Sequence, residues 1–164
     1  QAPLANMSSH SFDPFGAAVA SAVIRTIRDE GLLAVAEETG AYLLDSLRQL
    51  AERRSILDRA RGRGMMVGVD VVSRDGSGLP DPMLSLALEA ECLRRGAVLG
   101  YSALSGVMRL LPPLVMTCNE IDRALQILDD GAAYVEENGV DISRYMPSQN
   151  SSAMLAISFL RKLQ

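Results

Sequence analysis

Apolar residues recur at helical spacing over the first third of the chain and predict two consecutive helices. Asp13-Pro14 is typical of a helix start, because aspartate caps free N–H groups and proline fits the first turn. Gly31 is predicted to end the first helix, and the second begins near Leu32 and runs to about Arg53. The apolar stripe of the second helix is formed by Leu43, Leu47 and Leu50.

Two more helices are predicted in the second half of the chain. Asp81-Pro82 repeats the capping signal, and the helix that it begins is expected to end near Arg95. Thr117, followed three residues later by Glu120, forms a capping box that predicts a helix over 118–135.

The apolar pattern between these helices predicts a small sheet. Met65–Val72 is an almost continuous apolar run, which predicts a strand that is buried on both faces, and Arg61–Gly64 before it is predicted to be a turn or loop. Ala97–Tyr101 and Val107–Leu111 are predicted as short strands. The order of the elements indicates an α+β fold, in which a small, mostly antiparallel sheet has helices packed on one side.

Composition narrows the class of protein. The chain has 164 residues, a net charge of −4 and a sequence pI of about 5.0. A nucleic-acid-binding domain usually has a basic patch and a high pI, so a nucleic-acid partner is not expected. No apolar run reaches the length of about 18 residues that a membrane span needs, so no membrane association is expected either.

Residues that bind metals or form disulfides are scarce. The two cysteines, Cys92 and Cys118, are far apart in the sequence, and His10 is the single histidine. A metal site and a disulfide framework are therefore not expected, and the cysteine usage is typical of a reducing cytoplasm. Lys162 is the single lysine.

A hydroxyl-rich segment precedes the first helix. Ser8, Ser9 and Ser11 come just before Asp13-Pro14, and hydroxyl groups ahead of a helix N-terminus can bind a phosphate. The alternative is a polar loop that ends in an ordinary helix cap. The pattern of residues leaves both interpretations open.

Arg109 lies within the otherwise apolar strand Val107–Leu111. A charged residue in that position must point out of the core, find a partner or receive an anion in a cleft. A planar guanidinium suits a carboxylate, which it can bind through two parallel hydrogen bonds. The alternative is an arginine that reaches solvent at the edge of the sheet.

The order of the elements and several short motifs resemble the C-terminal part of class III pyridoxal-phosphate-dependent aminotransferases, which have the fold type I architecture. The resemblance covers about Ser8 to Val135. Its matching pieces are Asp29–Leu33, Arg61–Val69, Arg109–Leu114 and, after the last of these, Thr117, Glu120, Ile121 and Asp122. The sequence Ser9-His10-Ser11-Phe12-Asp13-Pro14 is closest to the Thr-His-x-x-Asp-Pro pattern of the dialkylglycine decarboxylase branch.

This resemblance implies two binding residues. The threonine that binds the cofactor phosphate in the family falls on Ser9, or on Ser8 if the alignment slips by one residue, and serine keeps the hydroxyl group. It would serve the active site of the neighbouring subunit in a homodimer. The arginine that binds the substrate carboxylate falls on Arg109. The cofactor would be pyridoxal 5'-phosphate.

The resemblance also implies that other parts of the active site lie outside these residues. The lysine that binds the cofactor covalently belongs to the large domain of the family, and Lys162 does not have the sequence context of that lysine. Residues 1–13 would form the cofactor-phosphate loop after the large domain, and residues 14–135 the small domain with its long connecting helix. Residues 136–164, with a possible helix over Met154–Leu163, are not explained by the family pattern.

The function that follows is amino-group transfer between an amino acid or amine and a 2-keto acid, with coupled decarboxylation as a subordinate possibility. This chain would be the C-terminal portion of the enzyme, would dock on its own large domain and a second subunit, and would be inactive alone. The alternative is a stand-alone, non-catalytic module that regulates or assembles other proteins. A domain that binds a phosphate ligand is a third and weaker interpretation.

Overall fold

A computed structural model describes residues 13–102 and 105–140. The predicted α+β class is confirmed, with four helices and four strands in the part of the chain that is described. These elements are α1 (Pro14–Asp29), α2 (Leu32–Arg53), β1 (Leu57–Arg63), β2 (Met66–Val71), α3 (Pro82–Arg94), β3 (Gly100–Ser102), β4 (Val107–Leu110) and α4 (Cys118–Asn138). The helix predicted over Met154–Leu163 lies outside the described residues.

The predicted helix starts are confirmed by their capping hydrogen bonds. The Asp13 side chain accepts a hydrogen bond from the N–H of Phe15, and the Asp81 side chain accepts from two N–H groups of α3. The capping box is present, since the N–H of Glu120 donates to the Thr117 hydroxyl and the Glu120 carboxylate accepts from the N–H of Thr117. Helix α4 ends at Asn138, three residues beyond its predicted end.

The four strands form one antiparallel sheet in the order β1-β2-β4-β3. The prediction of a turn or loop over Arg61–Gly64 is wrong for its first three residues, because β1 continues to Arg63. Strand β1 lies at one edge of the sheet, and after Leu57 its side chains are exposed or half-buried. Apolar alternation, the signal that identifies a strand in a sequence, is therefore missing here.

Helices cover only one face of this sheet, as predicted. Strand β2 directs Val67, Val69 and Val71 into a core built with α2, α3 and α4. The prediction that Met65–Val72 is buried on both faces is wrong, because the side chain of Met66 on the open face is 70% exposed. Gly68 and Asp70 also lie on the open face. They hardly interrupt the apolar run in the sequence, because glycine is small and Asp70 is the single charged residue between Met65 and Val72.

Helix α1 carries its apolar stripe without any covering within the described residues. None of its residues is buried. The side chains of Phe15, Val19, Val23 and Ile24 are between 46% and 75% exposed. Phe15, Val19 and Val23 are each one helical turn apart, so these exposed apolar side chains lie on one face of α1.

Gly40 is where α2 packs directly on the turn between β1 and β2. A Cβ atom at this position would lie 2.3 Å from the carbonyl carbon and oxygen of Gly64, far inside van der Waals contact. The missing side chain therefore lets the helix backbone approach the turn that orients the first two strands.

We expect Gly40→Ala to lower the free energy of unfolding by about 1–3 kcal/mol, because the helix or the turn must shift to relieve the contact. Gly16→Ala is the matched control, since its Cβ would meet no atom closer than 3.8 Å and alanine favours the helix. Urea unfolding of the full-length protein, followed by circular dichroism, measures both. Equal stability of the two variants would contradict this packing.

Candidate functional site

Arg109 lies at the centre of the open face of the sheet. It belongs to β4, which is flanked by β2 and β3, so it is not at an edge of the sheet. Its chain neighbours Met108 and Leu110 are buried in the core, whereas Arg109 is exposed. The alternation of a strand therefore directs the guanidinium away from the helices.

The residues that pair with Arg109 on both sides are glycines. Gly68 of β2 and Gly100 of β3 are its register partners, and directly paired residues point to the same face of a sheet. The Arg109 side chain lies beside Gly100, since a Cβ there would be 3.7 Å from Nε of the arginine. On the side of β3, the Arg109 side chain therefore lies beside a residue that has no side chain.

Strands β1 and β2 carry an ion-pair cluster beside the strand of Arg109. The cluster consists of Asp58, Arg59, Arg61 and Asp70. Nε of Arg59 donates to Asp70 Oδ2 at 2.7 Å, and Nη1 of Arg61 lies 2.6 Å from Asp70 Oδ1. The Asp70 side chain is 8% exposed. Oδ2 of Asp58 lies 3.7 Å from Nε of Arg59. Two arginines balance two aspartates, so the cluster is formally neutral.

The sequence does not show that these charged residues lie together, because a turn or loop was predicted from Arg61 onward. In the structure a β-bulge between Asp58 and Arg61 joins them, with Arg59 in the left-handed region at φ 48°. Asp70, a lone carboxylate in an apolar run, was the available signal, because a buried carboxylate requires cationic partners.

The proline pair after β4 borders an apolar cleft of about 390 Å³. Pro112 and Pro113 line this cleft together with Leu43, Val98 and residues of α4. Arg109 is not among the lining residues. The guanidinium and the cleft are therefore separate features, and the cleft is walled mainly by apolar side chains.

Shifted pKa values in the described residues have structural causes. Burial raises the pKa of the Cys92 thiol to about 12, so this thiol is inert at neutral pH. A hydrogen bond to Asp122 raises the pKa of the Tyr42 hydroxyl. The N–H of Thr117 in the capping box lowers the pKa of Glu120. Burial, a side-chain hydrogen bond and helix capping therefore explain these three pKa shifts, and none of them indicates a general acid or base.

Several residues singled out from the sequence lie outside the described residues: Ser8, Ser9, His10, Ser11 and Lys162. Over residues 13–102 and 105–140, no three His, Cys, Asp or Glu side chains come together as a metal site would require. The same residues contain no helix with the length and apolar character of a membrane span.

The fold is found in fold type I transaminases, of which this chain matches a part. The chain superposes on a transaminase obtained by ancestral reconstruction with a TM-score of 0.74 and 26% identity, over 84% of this chain and 31% of that one. It superposes on a phospholyase from Arthrobacter, solved in complex with phosphoethanolamine, with a TM-score of 0.65 and 32% identity, over 68% of this chain and 27% of that one.

The sequence identifies the family. The family model for class-III aminotransferases matches residues 4–131, and the chain belongs to this family. It is 33% identical over 118 residues to an alanine/serine racemase of Pyrococcus horikoshii, covering 71% of this chain and 24% of the racemase. It is also 33% identical over 123 residues to an acetylornithine aminotransferase of Caldanaerobacter subterraneus, covering 75% of this chain and 29% of that enzyme. The chain thus spans less than a third of the length of each of these relatives.

Proposed function

We propose that the complete protein is a pyridoxal-phosphate-dependent aminotransferase that moves an amino group between an amino acid or amine and a 2-keto acid. The observation that carries this proposal is Arg109, a cation on the open face of a domain with the class III sequence and fold. Relatives named acetylornithine aminotransferase and taurine–pyruvate aminotransferase support the same reaction class.

Arg109 would bind the substrate carboxylate. A guanidinium offers its N–H groups as a rigid fork that matches the two oxygens of a carboxylate. The buried neighbours Met108 and Leu110 anchor the strand in the core, and Pro112-Pro113 restricts the backbone that follows it. These contacts would hold the arginine in place while the substrate is oriented.

Ser9 of the neighbouring subunit would bind the cofactor phosphate through its hydroxyl group. In the sequence Ser9 comes shortly before α1, which begins at Pro14, and the positively polarised N-terminus of a helix favours an anion. When bound, pyridoxal phosphate supplies the electron sink that makes transfer of the amino group possible. Decarboxylation coupled to transfer remains a subordinate proposal that rests on the Asp13-Pro14 pattern.

The partners that we propose are the large domain of the same enzyme and a second copy of the subunit. The uncovered apolar stripe of α1 supports this, because such a surface is normally buried in an assembly. We also propose a cytoplasmic location. Cys92 and Cys118 are free thiols, which is typical of a reducing compartment. A stand-alone, non-catalytic module remains the alternative function.

The test is isotope transfer by the full-length gene product with added pyridoxal phosphate. We expect the labelled nitrogen of an amino donor, chosen from a panel of amino acids and amines, to appear in the amino acid formed from an added 2-keto acid. Label that stays in the donor while the donor racemises or eliminates a group would contradict an aminotransferase. No chemical change with any donor would favour the non-catalytic module.

A further inference from the structure

The apolar cleft beside Pro112-Pro113 is separate from the proposed carboxylate site. Its walls come from α2, β4 and the first half of α4. Val98 and Leu111, which also line it, are 86% and 59% exposed. A cavity of about 390 Å³ with apolar walls is large enough to enclose several apolar side chains.

The polar groups of the cleft favour an apolar occupant. Glu120 and Arg123 are the charged residues that line it in the described part of the chain. The Glu120 carboxylate already accepts hydrogen bonds from the N–H and the hydroxyl group of Thr117. A strongly polar ligand would therefore lose its hydration in this cleft and gain few hydrogen bonds in return.

The chain itself contains an apolar segment after α4. The segment Met154–Leu163, which lies outside the described residues, contains six large apolar residues. In the helix that the sequence predicts here, Leu155, Phe159 and Leu163 share one face, because they are four residues apart, and Ser158 lies off that face. The class III family model matches only as far as residue 131, so the family match does not explain this segment.

The connection between α4 and this segment is long enough to reach the cleft. Helix α4 ends at Asn138, and its residues that line the cleft lie between Glu120 and Ile127. Of these, Glu120 is the farthest from Asn138, at about 27 Å along the helix axis. The thirteen residues 141–153 can span up to about 43 Å when extended. Most of them are polar, as a connection over the surface requires.

We propose that Met154–Leu163 docks as a helix in the cleft of the same chain, with Phe159 inserted between its walls. The docked segment covers the exposed side chains of Val98 and Leu111. The cleft fits this segment better than the exposed stripe of α1 does, because an inserted side chain contacts atoms on several sides, whereas a single helix offers one convex surface. This inference goes beyond the proposed function and does not depend on it.

Disulfide trapping in the full-length protein tests this position. Cys118→Ser first removes an exposed thiol, whereas Cys92 is buried and stays in place. Ala156→Cys then adds a thiol beside the apolar face of the predicted helix, and Val98→Cys adds one at the cleft. We expect mild oxidation to join these two cysteines within one chain, and mass spectrometry identifies the linked peptides.

Leu79→Cys is the matched control for Val98→Cys. The Leu79 side chain is 65% exposed and is not among the residues that line the cleft. Its loop lies close to the end of α4, because a Cβ at Gly139 would be 3.2 Å from Nη1 of Arg74 in the same loop. A segment that moved freely would therefore meet Leu79→Cys at least as often as Val98→Cys. We expect linkage to Val98→Cys to be about tenfold greater.

Two substitutions in the segment test whether its apolar face is what docks. Phe159→Asp should lower the linkage to Val98→Cys about tenfold, because a carboxylate is not buried among apolar walls without a partner. Ser158→Asp introduces the same charge off that face and should leave the linkage unchanged. Equal losses in the two variants would contradict docking through this face. Should Phe159→Asp fail to fold, the comparison of Val98→Cys with Leu79→Cys decides.

Three other results would overturn the proposal. Equal or greater linkage to Leu79→Cys would show that the segment does not dock in the cleft. Linkage between two different chains, distinguished by an isotope label, would show that the segment of a second subunit occupies it. Linkage to neither cysteine would show that another part of the protein covers the cleft. None of these measurements depends on aminotransferase activity, so the proposed function is tested separately.

Discussion

Replacement of Arg109 by alanine in the full-length enzyme is expected to lower kcat/KM for an α-amino acid by about 30- to 1,000-fold. This range corresponds to roughly 2–4 kcal/mol, the typical loss when a charge-assisted contact is removed and its carboxylate partner stays poorly paired. The fold should tolerate the change, because the side chain is exposed and does not contribute to the core.

The matched measurement is kcat/KM for an amine that lacks only the carboxylate. This amine should lose little activity in Arg109→Ala, since it never contacts the guanidinium. Arg109→Lys should restore the amino acid only in part, because an ammonium group cannot form two parallel hydrogen bonds to one carboxylate. Equal losses for acid and amine would show that Arg109 has a structural role, and unchanged rates for both would show that it only contacts solvent.

The isolated 164-residue chain is expected to have no aminotransferase activity with added pyridoxal phosphate. Its single lysine, Lys162, does not have the sequence context of the lysine that binds this cofactor in the family, and no other side chain can replace a lysine in that bond. Turnover of an amino donor and a 2-keto acid, measured beside the full-length protein, tests this. Turnover by the isolated chain at a rate near that of the full-length protein would contradict it.

The helices could be predicted from the sequence because their signals are local. Asp13, Asp81 and Thr117 cap the helices whose starts they predicted. The capping hydrogen bonds join residues two or three positions apart, so the sequence contains the whole interaction. The α+β class followed from the order of these helices and the apolar strands.

Strand β1 could not be predicted from the sequence, because it is held mainly by its hydrogen bonds to β2 and not by burial of its side chains. Five of its seven residues are exposed, and a β-bulge near Arg59 interrupts any regular alternation. The burial of β2 was predicted on two faces although only one is covered. The sequence does not indicate that Gly68 and Asp70 lie on the open face of β2, because Gly68 is small and the ion-pair partners of Asp70 lie on another strand.

The candidate site was predicted in part. The exposed position of Arg109 follows from a charged residue between two buried ones, which is a local pattern. The pairing of Arg109 with Gly68 and Gly100 depends on the register of three strands. Register is set by long-range pairing, so these glycines could not be recognised as neighbours in the sequence.

The most direct measurement is the location of the covalently bound cofactor in the full-length protein. Pyridoxal phosphate is fixed to its lysine by borohydride reduction, and the modified peptide is identified by mass spectrometry. We expect one modified lysine per subunit, at a position outside these 164 residues, while Arg109→Ala keeps the same modification because it acts on the substrate carboxylate. A stoichiometric adduct on Lys162, or no adduct on any lysine of an intact protein, would contradict the proposal that this domain serves a pyridoxal-phosphate enzyme in this way.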